Sequence, residues 1–164
     1  MEETLISNAR TYAVRHQLQL AERLGFGIHG IIFAAENKRV GGLTAIKAHR
    51  EIEPYRRELS VYERLGKIGV TKILGFNVPQ LVNSDESLRV IEMSIVVRPF
   101  VLDFAGAYLD AMPEFPDEVW EEWEAEKMEQ FGARWSSVRK VLAALEEWDI
   151  YMVDVSPSNI AFAE

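Results

Sequence analysis

Between Leu18 and Ala48 the chain reads as three short β-prone runs, LQLAERLG, GIIFAAE and LTAIKA, cut by glycines. Runs of this kind bounded by turn residues predict an antiparallel meander, with Gly41 and Gly42 turning the second strand into the third. The glycines of the first turn are more tightly patterned: Gly25, Gly27 and Gly30 stand as G-x-G-x-x-G. A dinucleotide-binding fingerprint of that spacing opens a helix, whereas these glycines run into an apolar strand. A glycine hairpin ahead of a strand can lay its backbone over phosphates with no side chains in the way. An ordinary glycine-rich hairpin has the same appearance, so the spacing alone leaves both readings open.

Beyond the meander the texture changes. Residues 51–66, EIEPYRRELSVYERLG, have helical spacing, with Pro54 in the first turn and a stripe of Tyr55, Leu59, Tyr62 and Leu65. Residues 80–84 and 88–97 form two further candidate strands around an acidic turn, and 99–116, with three prolines, has the look of a connector. Residues 117–132 and 133–149 are helical in pattern. The first has an acidic, solvated exterior; the second carries Trp135, Val138, Val141, Leu142, Leu145 and Trp148 along one apolar face. Trp120 and Trp123 are expected to be packing anchors. Residues 4–17 give only a weak helical pattern. The predicted fold class is α+β, a sheet-rich first half before a helical second half.

Bulk properties narrow the function classes. The net charge of −8, with no basic stripe, disfavours nucleic acid as a partner. No cysteine is present, which removes disulfides, thiolate zinc sites and a cysteine nucleophile. His16, His29 and His49 are too scattered for a metal set and are expected to take structural roles, although His29 could line the glycine hairpin. No signal-peptide pattern or membrane-length apolar run is present, so a cytoplasmic protein without membrane contact is expected.

Three further positions could carry chemistry with the glycines. Lys47 ends the apolar strand TAIK, where an ammonium could reach phosphates under the hairpin. Glu58 lies beside the apolar stripe of the next helix and could hold that ammonium; Glu51, Glu53 and Glu63 compete for the role. In the terminal stretch YMVDVSPSNIAF, Asp154 could orient and deprotonate an attacking hydroxyl, and the Asn159 amide oxygen could ligate a cation. Each has a plain alternative: a surface lysine, a helix-surface ion pair, an Asx or Ser-Pro turn.

In this fixed order the residues resemble the protein-kinase-like superfamily over roughly residues 18–162. Gly25, Gly27 and Gly30 match its glycine-rich loop, Lys47 its third-strand lysine, Glu58 its helix glutamate, and Asp154 and Asn159 its catalytic base and metal-binding asparagine. VIEMSIVVRPF (90–100) looks like the fifth strand and hinge. The resemblance implies that backbone around Met93 to Val97 meets the adenine of ATP. It also implies one truncated domain, with 18–97 as a smaller lobe and 98–164 as a partial helical lobe.

The pattern also departs from the family. Met152 stands where a His is usual, Val153 where an Arg is frequent, and Ser156 where Lys or His would hint at the acceptor. The family's magnesium-binding Asp-Phe-Gly follows the asparagine after a short hairpin, while this chain ends five residues past Asn159. The expectation is therefore a retained or vestigial ATP cleft, with weak or absent magnesium binding and weak or no phosphotransfer. An alternative is a non-enzymatic interaction module acting through a partner protein. The apolar face of the 133–149 helix is expected to lack the cover it has in the full fold, and a homodimer through that helix is expected. A third possibility is that these residues are the first part of a longer reading frame.

Overall fold

A computed structural model of the protein describes residues 1–95 and 101–162. The β-prone runs form β1 (Leu18–Phe26), β2 (Gly30–Asn37) and β3 (Leu43–His49), an antiparallel meander. The helical stripe becomes α2 (Ile52–Lys67), after α1 (Glu2–Arg15). The next candidate strands are β6 (Leu81–Asp85) and β7 (Val90–Ser94), behind the short β4 (Lys72–Ile73) and β5 (Phe76–Asn77). The five-stranded sheet has the order β1-β2-β3-β7-β6, so its last strand in chain order, β7, pairs with β3 and the hairpin turns β6 to the edge. All its pairings are antiparallel, and the chain is α+β.

Alternation along β3 sends its side chains to two different cores. Ile46 and Ala48 join Ile31, Ala35 and Val90 under α1, which inserts Leu5, Ala9, Tyr12 and Ala13. The weak helical pattern at the N-terminus thus belongs to an element that closes one face of the sheet; small Ala residues on its buried side dilute the periodic signal. Ala45 faces the other way, into a larger core with Tyr55, Val61, Tyr62 and Leu65 of α2.

That larger core continues without a break into the second half of the chain. The expected connector is more structured than its prolines suggest: it contains β8 (Val101–Leu102) and β9 (Tyr108–Leu109). β8 lies between β5 and the last strand, β11 (Ile160–Ala161), and β9 pairs with β10 (Ile150–Tyr151). Two-residue strands leave no alternating pattern to read, which explains why the sequence conceals them.

The helices α3 (Asp117–Phe131) and α4 (Trp135–Glu146) complete the fold. The α4 face that was expected to lack cover is buried within the chain: Trp135, Val138, Val141 and Leu145 are all in the core, with Leu142 and Trp148 packed partly against it. Trp123 of α3 meets Trp135 with ring centroids 5.8 Å apart, and its indole N–H donates to the Val153 carbonyl at 2.9 Å. The motive for a dimer through this helix is thereby removed. No described helix is long and apolar enough to cross a membrane.

Candidate functional site

A cleft of about 570 Å³ separates the glycine hairpin and sheet from the terminal loop. Gly25, Gly27 and Gly30 line its upper wall, Lys47, Glu58 and Met93 its inner wall, and Asp154 and Asn159 its lower wall. These residues span most of the sequence, and the fold brings them to one place. Val97 lies outside the described residues.

The glycines have different tasks. Gly27 donates its N–H to the Gly30 carbonyl at 3.0 Å, closing the turn, and a Cβ on Gly27 would meet nothing within 4 Å. Gly30 is required by packing: a Cβ there would lie 2.0 Å from the Ala48 carbonyl oxygen on the neighbouring strand. The last glycine of the motif is therefore explained by the β2–β3 approach, and Gly25 and Gly27 are the ones that leave space over the cleft.

Lys47 points inward from β3. Its ammonium lies 2.8 Å from Glu58 Oε1 and 3.3 Å from Asp103 Oδ1, with the lysine and Glu58 side chains only 4% and 1% exposed. Glu58, and not Glu51, Glu53 or Glu63, is the glutamate that reaches it, because the turn of α2 carrying Tyr55 and Tyr62 also aims Glu58 at the sheet. Burial opposes the charge on both groups. It would raise the Glu58 carboxyl, but Lys47 and His49 beside it outweigh burial and hold it down at about 2. Burial likewise works against the Lys47 ammonium, and Asp103 with Glu58 overcomes this and places it above its ordinary value. Tyr62, buried next to these carboxylates, is pushed well up by burial first and by Glu58 and Asp103 after it.

The lower wall is a knotted loop. The Asn159 side chain receives the Ser156 N–H on Oδ1 at 2.7 Å and donates its amide to the Asp154 carbonyl. That carbonyl bond fixes the backbone on which the Asp154 carboxylate stands. The carboxylate is half exposed and lies 3.0 Å from His29 Nε2, so the glycine hairpin touches the terminal loop through a histidine. Gly106 lies beneath both: it has φ +73°, and a Cβ on it would come within 3.1 Å of Asp154 Cβ.

Asp103 is the residue that sequence reasoning missed. β8 pairs antiparallel with β11, and the Asp103 N–H donates to the Asn159 carbonyl at 2.9 Å. The backbone of an acidic residue from the segment preceding α3 is thereby tied to that of Asn159, and both residues line the cleft. Asp103 Oδ1 also accepts the Ala105 N–H at 2.9 Å. The available signal was Asp103-Phe104-Ala105-Gly106, an Asp-Phe-x-Gly string inside the connector. It lies upstream of Asn159, where the family pattern places no such residue, while strand pairing is indifferent to chain order.

Met93 lines the cleft with its buried side chain, but the Ser94 N–H is already taken by the Gln80 carbonyl at 2.8 Å. Compared with family models, curated proteins and solved structures, the chain matches none.

Proposed function

We propose that this protein is kinase-like and binds ATP in the cleft, with the phosphates under the glycine hairpin and beside Lys47. The observation that carries this reading is the convergence of a buried, charge-paired lysine, an open glycine turn and three polar groups of the lower wall, Asp103, Asp154 and Asn159, on one cavity. An ammonium held by two carboxylates keeps its charge and a fixed position. Those are the properties that phosphate binding asks of it, because phosphoryl transfer depends on positioning and charge neutralisation.

The donor chemistry also fits a magnesium ion shared with the phosphates. Asp103 offers one carboxylate and Asn159 one amide oxygen, already partly used by Lys47 and by the loop. Such a pair suits an ion that keeps several waters and takes its other ligands from phosphate. Among the described residues there is no group of three His, Cys, Asp or Glu able to hold a metal by itself. When bound, magnesium would neutralise phosphate charge. The chain's own part is to hold Lys47 against Glu58 and Asp103, and to present the half-exposed Asp154 carboxylate to an acceptor hydroxyl, whose proton it can accept. With Asp103 also on the cleft wall, phosphotransfer is the activity to assay; the acceptor is not encoded in the loop.

The test is thermal unfolding with ATP, with and without magnesium, on wild type, Lys47→Ala and Asp103→Asn. Ligand at 100 times its Kd adds about 2.7 kcal/mol, a shift of roughly 5–11 °C. The expected result is a shift lost in Lys47→Ala and, in its magnesium-dependent part, lost in Asp103→Asn. No shift in wild type at millimolar ATP would overturn the reading.

A further inference from the structure

We propose that His49 is a doubly protonated imidazolium that positions Glu58, and through it Lys47, by fastening α2 to β3 at a second point. Its value to the cleft rests on the nucleotide reading above; its charge and its fastening role do not.

The Glu58 carboxylate is divided between two residues of one strand. Oε1 lies 2.8 Å from Lys47 Nζ and Oε2 lies 2.8 Å from His49 Nε2. Lys47 and His49 are two positions apart on β3, so both project from the same face of the sheet, and Glu58 sits across them. A single contact to Lys47 would leave the carboxylate free to turn and α2 free to slide while the ion pair persisted. Two contacts to separate points of one strand fix the plane of the carboxylate and the seat of the helix.

The protonation follows from the partners. The other ring nitrogen, Nδ1, lies 3.3 Å from the Arg89 carbonyl oxygen, which can only accept. Glu58 is ionised and can also only accept. A neutral imidazole has one N–H and would turn a lone pair toward one of these oxygens; the imidazolium donates to both. The Glu58 and Asp103 carboxylates face the Lys47 ammonium, the Arg89 guanidinium lies on the far side of His49, and the His49 side chain is fully buried. The remaining neighbours add no competing proton acceptor: from α2 the Tyr55 ring meets the imidazole edge-on at 5.6 Å, Arg89 donates its Nε–H to the His49 carbonyl at 3.3 Å, and Gly30 of β2 pairs with His49 without a side chain.

The experiment is nitrogen-15 NMR of the side chains in the full chain without nucleotide, in wild type, His49→Gln and His49→Phe. At pH 7 the wild type is expected to show both His49 ring nitrogens protonated, and Lys47 ammonium protons protected from solvent exchange. His49→Gln, which keeps one donor toward Glu58, should retain that protection, and His49→Phe should reduce it by about tenfold or more, the scale of one charged hydrogen bond. A singly protonated His49 at pH 7 overturns the proposal, even if both variants fail to fold. So does unchanged Lys47 protection in His49→Phe. Because no nucleotide is present, failure of ATP binding would fall on the function proposed above and leave this result standing.

Discussion

Two carboxylates are buried on opposite faces of the same sheet, and they are satisfied differently. On the α2 side, Glu58 is held by Lys47 and His49. On the α1 side, Glu92 of β7 receives the Tyr12 hydroxyl on Oε2 and the Thr44 hydroxyl on Oε1, each at 2.8 Å. The second arrangement ties a helix to the sheet with neutral donors, and Glu92 does not line the cleft that Glu58 lines. The first adds ionic groups where an apolar cluster of similar volume would serve stability as well or better. A cluster that stability does not require, with its lysine on a cavity wall, is the kind expected where a fixed positive charge is used.

The largest expected effect that could break this contrast is on stability. Glu58→Ala leaves the buried Lys47 and His49 without their shared partner and should cost about 3–5 kcal/mol in urea denaturation. Glu92→Gln keeps its shape and can exchange donors with both hydroxyls, so it should cost only about 1 kcal/mol. Equal losses would mean that the two carboxylates do the same structural work. Next comes Tyr12→Phe, which removes a hydroxyl whose own ionisation is pushed up by burial and by Glu92. The expected loss is about 1.5–3 kcal/mol by the same measurement, with no change in any ATP-induced shift. A changed shift would show that the α1 face communicates with the cleft.

Gly106→Ala sharpens the contrast from the cleft side. Its left-handed backbone and the nearby Asp154 predict a loss of about 1–2 kcal/mol, together with a weaker ATP shift. The smallest effect at neutral pH concerns titration. The Glu58 carboxyl is depressed from 4.5 to about 2, so its contribution is fully present above 4.5 and is lost as pH falls from there through about 2. Acid unfolding of Glu58→Gln should lack that portion of the slope; an unchanged slope would remove Glu58 from the acid response.

Legibility differed by region for physical reasons. β1 to β3 and α2 follow from local patterns, since runs of five or more residues repeat a period long enough to recognise. The same stripe placed Glu58 inward, because a residue three positions after Tyr55 and four before Tyr62 shares their helix face. Asp103 was readable as a string and hidden as a partner: the hydrogen bond joining it to Asn159 spans 56 residues in the direction opposite to the one expected. His49 reads as an ordinary structural histidine in the sequence, since nothing local shows that the strand residue two beyond Lys47 meets the same carboxylate.

By itself the sequence determined the α+β class, the meander with its glycine turn, the amphipathic α2 and the polar terminal loop, because each depends on side-chain periodicity or backbone freedom within a short window. The tertiary structure alone decided that β7 sits inside the sheet, that α4 is covered by its own chain, and that Asp103 and His49 complete the charges around Lys47 and Glu58. Those outcomes depend on which buried polar groups find partners across long separations, and burial creates that demand only after the chain has closed on itself.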